Sequence, residues 1–176
     1  LKADLCAEGN RLLYAFCERY GVPALKCGKL VVAVHESEIP VLRLYQARAQ
    51  DNGVPASIVD GREASKMEPQ VKAKAALYLP TSGVIDPTAL VYKLHVLAGN
   101  HGAQFLTETK LVAARGTPEG IALTVQYRDG ARDTFLSDRV VNSAGLYSDD
   151  VAKMIDPASP YQIDPLRGEA AKFYRT

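Results

Sequence analysis

The sequence predicts an α/β protein in which helices cover one face of a mixed β-sheet and a β-meander follows. Before about residue 103, apolar residues recur at three- and four-residue intervals in three long segments, which is the period of an amphipathic helix. Short runs rich in β-branched residues separate these segments. After that point apolar and polar residues alternate, as in strands with one buried face. The change of period predicts two structural parts.

Four helices and three strands are expected in the first part. Gly21 and Pro23 end the first helix, because glycine favours a C-terminal cap and proline cannot continue the helix. Asp86 followed by Pro87 is typical of an N-cap and the first helical position. The expected strands are residues 25–34, 57–60 and 75–79, and the helices are residues 61–67 and the three that cover the sheet, 1–20, 37–50 and 87–100.

The second part is expected to form an antiparallel meander, then one strand and one helix. Asp129-Gly130 between two alternating runs is a strong hairpin signal. An apolar strand at residues 139–142 precedes a helix that Ser148 or Asp149 begins and that ends near Ile155. The expected meander strands are residues 104–109, 111–115, 121–127 and 131–136, and a last strand, residues 162–174, is interrupted at Arg167-Gly168.

Composition and charge argue against several kinds of partner. A net charge of +1 over 176 residues gives no reason to expect nucleic acid or an anionic membrane as a partner. The longest apolar runs, such as residues 30–34, are far too short to cross a bilayer. Cys6, Cys17 and Cys27 form no C-x-x-C pair, which predicts free thiols in a reducing compartment, expected to be the cytoplasm. No cluster of ligand residues predicts a metal site.

The junction between the strand at residues 139–142 and the following helix is the strongest functional signal. The small residues Ser143-Ala144-Gly145 would let a backbone approach a ligand closely, and the helix would offer N–H groups to an anion. In a doubly wound sheet, nucleotides bind at the carboxyl ends of strands. No G-x-G-x-x-G occurs in these 176 residues. The sequence therefore predicts one wall of a nucleotide site without the phosphate-binding turn, unless this is an ordinary strand–helix turn.

Several motifs together resemble one family. The run V-V-N-S-A-G-L-Y-S-D resembles the last Rossmann strand of FAD-dependent oxidoreductases of the D-amino-acid-oxidase type. The combination is similar to the L-2-hydroxyglutarate dehydrogenase/oxidase family, from which Ala170-Ala171 departs by replacing an expected aromatic pair. The matching stretches are K-A-D-L-C from Lys2, C-G-K-L-V-V-A from Cys27, E-P at Glu68, S-G-V-I-D from Ser82, N-S-A-G-L-Y-S-D from Asn142 and P-L-R-G-E from Pro165.

The resemblance implies an internal fragment of a longer flavoprotein. Residues 1–102 correspond to the main part of an α+β substrate domain with a mixed sheet. Residues 103–156 correspond to the β-meander and one strand–helix unit of an incomplete FAD-binding Rossmann-like domain. Residues 157–176 correspond to a return strand of the substrate domain. The implied cofactor is FAD, held by the full-length protein and not expected to be retained by these residues alone.

The resemblance also implies roles for nine residues. Lys29 and Arg167 are expected to bind substrate carboxylates, with exposed strand charges as the alternative. Gly83 and Asp86 are expected to line the substrate pocket, although Asp86 also has an explanation as a helix N-cap. No catalytic base is identified, because the family's histidine candidates precede the matched region. The residues expected to contact FAD are Leu111 through its backbone, Ser143, Ala144, Gly145 and Leu146.

The function implied by the resemblance is oxidation of a 2-hydroxy acid, L-2-hydroxyglutarate above others, to the 2-oxo acid by hydride transfer to flavin. The alternatives are an amine-, amino-acid- or glycerol-3-phosphate-oxidising relative, and a non-catalytic module that binds no flavin. The expected partner is the small-molecule substrate, with no integral membrane segment. Peripheral membrane association of the full-length protein and self-association through an exposed sheet edge stay open.

Overall fold

The computed structural model describes residues 2–171 of a chain that divides into two units, Leu1–Ala103 and Gln104–Thr176. The first unit contains four helices, five short strands and a 3-10 turn at Glu36–Glu38. Its helices are α1 (Lys2–Tyr20), α2 (Ile39–Asp51), α3 (Gly61–Met67) and α4 (Pro87–Asn100). Its strands are β1 (Ala24–Leu25), β2 (Lys29–Ala33), β3 (Ser57–Asp60), β4 (Ala75–Leu79) and β5 (Val84–Ile85).

The core of the first unit is a three-stranded sheet in which β4 lies between β2 and β3. Leu77, 2% exposed, is paired with Val31 on one side and Ile58 on the other, and these residues face Leu42 of α2. Because side chains alternate along a strand, the neighbouring Ala76 faces the opposite side of the sheet. There it packs with buried residues of β3 and α3, so both faces of the sheet are covered.

The α/β class is confirmed, whereas the arrangement of the sheet differs from the expected one. All strand pairs in the described residues are antiparallel, where a mixed sheet was predicted. Of the three long helices, α2 packs along the central sheet, whereas α1 packs against β1. The physical reason is that β4 carries apolar residues on both faces, so α2 and the short α3 cover opposite sides.

The second unit is a three-stranded meander with one helix. β6 (Thr109–Thr117), β7 (Gly120–Tyr127) and β8 (Arg132–Ser137) pair in sequence order, and α5 (Ser148–Ile155) packs against β6. The predicted hairpin at Asp129-Gly130 is confirmed. Gly130 adopts a φ of 88° and its N–H donates to the Tyr127 carbonyl at 3.0 Å, as a tight turn requires.

Three strand predictions in the second unit are wrong. Residues 104–108 precede β6 without pairing, because Thr107 and Glu108 form a turn in which Glu108 has a φ of 52°. Residues 139–142 have no strand partner, and Val141 is 88% exposed. Residues 162–171 form no strand either, and the predicted positions 172–174 lie outside the described residues. A β-branched run favours extended backbone but forms a strand only where a neighbour pairs with it.

Two simpler predictions concern thiols and membranes. Cys6, Cys17 and Cys27 are all free, and Cys17 is buried whereas Cys6 and Cys27 are exposed. Within residues 2–171 no helix combines the length and apolarity that a membrane span needs.

Replacing Leu77 with alanine is expected to lower the free energy of unfolding of the first unit by about 2–5 kcal/mol, because the side chain is buried between β2, β3 and α2. Urea unfolding followed by circular dichroism measures this change. The matched control is Leu5→Ala in α1, where the side chain is 61% exposed and the expected change is within about 0.5 kcal/mol. Equal effects of the two substitutions would contradict the assignment of the core.

Candidate functional site

In the first unit, the loop between β4 and α4 lies beside the turn between β1 and β2. The Gly28 N–H donates to the Ser82 carbonyl at 2.9 Å, and β1 pairs with β5 through Leu25 and Val84. The predicted residues Lys29 and Gly83 therefore follow the two residues that this hydrogen bond joins. Two segments more than fifty positions apart in the sequence form one surface of the first unit.

Asp86 caps α4, as the sequence indicates. Its carboxylate oxygen Oδ1 accepts a hydrogen bond from the Ala89 N–H at 2.9 Å, and Pro87 occupies the first helical position. The Asp86 N–H donates to the Pro23 carbonyl at 2.9 Å, which ties the end of the loop to the segment before β1. These bonds give Asp86 a structural role, and contact with a substrate stays a prediction.

The two predicted carboxylate-binding cations are both exposed. Lys29 begins β2 opposite Leu79, and no carboxylate of the described residues lies within ion-pair distance of its amine. Arg167 lies after α5, outside any helix or strand, and is also exposed. The predicted strand around Arg167 is absent: Ile163 bonds to Asp149 of α5, and residues 162–171 pair with no strand. Both cations are open to solvent, and the described residues contain no cluster of metal ligands.

Gly83 and Gly28 are required by close packing. A Cβ at Gly83 would collide with the Leu25 carbonyl oxygen and the Tyr14 hydroxyl. At Gly28 a Cβ would lie 2.6 Å from the Tyr78 ring, and the φ of 75° also favours glycine. The loop and the neighbouring turn therefore have little freedom to accept larger residues.

In the second unit, the predicted turn at residues 143–146 leads through a 3-10 turn, Gly145–Tyr147, into α5. Gly145 has a φ of 60°, and a Cβ placed on it would meet nothing within 4 Å. Asn142 fixes the turn from both sides. Its Oδ1 accepts from the Ala144 N–H at 3.2 Å, and its Nδ2 donates to the Ser148 carbonyl at 2.7 Å. The result is an exposed, open turn with a defined backbone.

Asn142 belongs to the motif N-S-A-G-L-Y-S-D, but no role was predicted for it. Its residue type was a usable signal for this role, because an asparagine side chain commonly bonds to the backbone two residues further on. These bonds hold the turn after residues 139–142, which themselves have no partner strand.

The turn fits part of a flavin cofactor. The N–H groups of Gly145 and Leu146 stand at the start of a helical turn, where they have no acceptor within the helix, and both residues are exposed. Asp149 and Asp150 place negative charge in the first turn of α5. This charge disfavours a diphosphate beside the turn. The donors therefore suit a neutral acceptor on FAD better than its diphosphate.

Leu111 lies in β6, at the edge of the meander sheet. Its side chain is half-buried, and its backbone is paired with Val125. The register then shifts between Leu111 and Ala113, so Val112 is an extra residue of a β-bulge. Because β6 is an edge strand of the described sheet, some of its backbone groups face away from β7 and can bind a ligand.

Asp149 connects α5 to the segment that follows it and that carries Arg167. Its Oδ2 accepts from the Ile163 N–H at 3.1 Å and lies 4.0 Å from the Lys153 amine. The hydrogen bond from Ile163 lowers the pKa of the Asp149 carboxyl below its ordinary value, against a smaller opposing effect of desolvation. The carboxylate form is therefore the one that the folded unit stabilises.

Comparisons with known proteins identify the family of this chain. The family model described as "FAD dependent oxidoreductase" matches residues 1–176. The chain belongs to this family of FAD-dependent oxidoreductases, which confirms the resemblance seen in the sequence. It is similar in particular to a protein named "L-2-hydroxyglutarate dehydrogenase, mitochondrial" from Nematostella vectensis, with 32% identity over 180 residues. The match covers 96% of this chain and 39% of that protein.

Solved structures show the same fold. One is the L-α-glycerophosphate oxidase from Mycoplasma pneumoniae with FAD bound, with a TM-score of 0.76 and 24% identity, covering 87% of this chain and 41% of that one. Another is the L-proline dehydrogenase from P. horikoshii, with a TM-score of 0.74 and 21% identity, covering 86% of this chain and 40% of that one. At such identities the likeness concerns the fold alone.

Asp149→Asn is expected to lower the thermal stability of the second unit at neutral pH, because the amide loses the charge-assisted hydrogen bond from Ile163. Since the folded-state pKa is depressed, the stabilisation is fully present above the unfolded-state pKa of about 3.9. It is lost as the pH falls below that value through the folded-state pKa. Melting curves from pH 7 to pH 2 should converge for the two proteins at the acid end, and a constant difference would contradict the prediction.

Proposed function

We propose that the whole protein oxidises a 2-hydroxy acid to the 2-oxo acid with FAD, and that its substrate is L-2-hydroxyglutarate. The observation that carries the proposal is the similarity of 96% of this chain to a protein named L-2-hydroxyglutarate dehydrogenase. The chain spans 39% of that relative's length, so the activity is proposed for the full-length protein. Bound FAD would accept the hydride from the carbon that carries the hydroxyl.

This chain's contribution would be to bind and orient the substrate. A dicarboxylate needs a cation or N–H donors for each carboxylate, and Lys29 and Arg167 are exposed cations in family-like motifs. Arg167 can bind a carboxylate through two parallel hydrogen bonds, which also orients it. Gly83 and Asp86 would line the pocket on the surface that the loop forms beside β1. Orientation of the reacting C–H bond is the main gain from such contacts.

The two units would have different roles. We assign residues 1–102 to a substrate domain and residues 103–156 to part of an FAD-binding domain, with residues 157–176 returning to the substrate domain. Ser143, Ala144, Gly145 and Leu146 would present backbone to FAD, which is supported by the open turn and its exposed N–H groups. Backbone of Leu111 at the sheet edge would contact the cofactor as well.

A relative that oxidises glycerol 3-phosphate, an amine or an amino acid is the second candidate, supported by the shared fold of the glycerophosphate oxidase and the proline dehydrogenase. Lys29 and Arg167, taken one by one, are cations that favour an anionic substrate over a cationic amine. A reducing compartment, the cytoplasm, is our proposal for the location and rests on the three free thiols.

The full-length flavoprotein is expected to oxidise L-2-hydroxyglutarate to 2-oxoglutarate with an artificial electron acceptor, and to act much less on D-2-hydroxyglutarate, glycerol 3-phosphate and proline. Arg167→Leu should raise the KM for L-2-hydroxyglutarate about 10- to 100-fold, which corresponds to the loss of a hydrogen bond between charged groups. The control is Arg128→Leu, since Arg128 is an exposed partner of Glu108 in the meander. Turnover of glycerol 3-phosphate or proline in place of the hydroxy acid would replace the first candidate with the second.

The 176-residue chain alone is expected to bind FAD weakly or not at all and to show no turnover. The reason is that these residues contain no G-x-G-x-x-G to hold the diphosphate, and the first turn of α5 carries two aspartates. Flavin absorbance of the purified chain and a titration with FAD measure the binding. We also propose that the chain alone self-associates through an exposed sheet edge, which size-exclusion chromatography measures. One equivalent of tightly bound flavin with turnover would contradict this prediction.

A further inference from the structure

We propose that Asn10 and Tyr14 of α1 are positioning residues that set the place of the loop at residues 80–86, and thereby the affinity for the substrate. The inference rests on the proposed function, because it takes that loop to line the substrate pocket. Asn10 and Tyr14 are four positions apart on a helix, so they lie on the same face. Neither residue belongs to the motifs that carry the family resemblance.

Asn10 makes a hydrogen bond to the loop. Its side-chain Nδ2 donates to the Thr81 carbonyl at 3.2 Å, across 71 positions of sequence, and the bond is partly buried. Thr81 is the second residue before Gly83, so the bond fixes the backbone just before the residues that are proposed to line the pocket. Without it the Thr81 carbonyl would lose a partner in a place where water is only partly available.

Tyr14 limits the loop from the same helix face. Its hydroxyl occupies the space that a Cβ at Gly83 would take, together with the Leu25 carbonyl oxygen. The Lys26 ammonium lies 4.5 Å from the centre of the Tyr14 ring, a cation–π contact that favours this orientation of the phenol. The position of Gly83 is therefore bounded by a side chain whose own orientation is stabilised.

The remaining contact between α1 and the loop is loose. A cavity of 70 Å³ lies between them, lined by both Asn10 and Tyr14 and by Cys17, Gly83, Val84 and Ile85. The cavity is partly open, so on this side few close-packed atoms resist a shift of the loop. The hydrogen bond from Asn10 and the contact with Tyr14 thus determine the spacing that close packing would determine elsewhere.

Loss of these contacts is not expected to unfold the loop. The Gly28–Ser82 hydrogen bond, the β1–β5 pairing and the Asp86–Pro23 hydrogen bond remain in place. A substitution at Asn10 should therefore shift the loop and weaken substrate binding while the first unit stays folded.

The first test uses Asn10→Ala in the full-length FAD-loaded protein, with Arg11→Ala as the control, because Arg11 is an exposed neighbour on the same helix. Asn10→Ala should raise the KM for L-2-hydroxyglutarate about three- to tenfold, the range that one lost hydrogen bond corresponds to, with kcat within about twofold. Amide hydrogen exchange at residues 82–86 should become about fivefold faster. Arg11→Ala should change neither quantity. An unchanged KM in Asn10→Ala would overturn the proposal, even if exchange is faster.

The second test uses the crowding at Gly83. Gly83→Ala should raise the KM, because the added methyl group collides with the Tyr14 hydroxyl and the Leu25 carbonyl. Adding Tyr14→Phe removes the hydroxyl oxygen and leaves the carbonyl, so the double variant should recover part of the lost affinity. A double variant with a KM as high as that of Gly83→Ala alone would overturn the role of Tyr14.

The outcomes separate this inference from the proposed function. If the protein oxidises another substrate of its family, the proposed function is wrong, and the KM for that substrate in Asn10→Ala tests the positioning. Faster exchange at residues 82–86 in Asn10→Ala but not in Arg11→Ala supports the contact with the loop whatever the substrate is. Equal exchange in both variants overturns it.

Discussion

The first unit depends on the central position of β4, whose backbone is paired on both edges by β2 and β3. A strand paired in this way has its polar backbone groups satisfied, so it can be buried on both faces. Ala75, Ala76 and Leu77 are buried accordingly. The ladder determines where the chain leaves the sheet at Leu79, and therefore where the following loop and α4 begin. The candidate pocket segment is positioned by a hydrophobic sheet, in which Lys29 at the start of β2 is the residue proposed to bind substrate.

Two glycine-containing turns illustrate different uses of a missing side chain. Gly145 is needed for its backbone conformation, because its φ is positive and the space around it is open. Gly83 is needed for space, because neighbouring atoms occupy the position of a Cβ. An open turn exposes N–H groups to a ligand, whereas a crowded turn has its position determined by the protein. The first arrangement suits contact with a cofactor, and the second suits a surface of fixed shape.

Local signals in the sequence predicted the elements that short-range contacts define. Asp86 caps α4, and Asp129-Gly130 closes a hairpin, because each acts within four positions. The prediction of a strand at residues 139–142 was wrong, because a strand needs a partner segment and the local sequence does not encode one. The Asn10–Thr81 hydrogen bond joins residues 71 positions apart, so no local pattern could have indicated it. The motif predicted the turn at Gly145, but not the local bonds of Asn142.

The cleft of about 70 Å³ between α1 and the loop is partly open to solvent, unlike the two faces of the central sheet, which are packed with buried side chains. A cleft of this volume can hold water, and Asn10 and Tyr14 in its lining offer polar groups to it. Water can therefore take up small changes in the spacing between α1 and the loop, whereas a change within the sheet requires its side chains to repack.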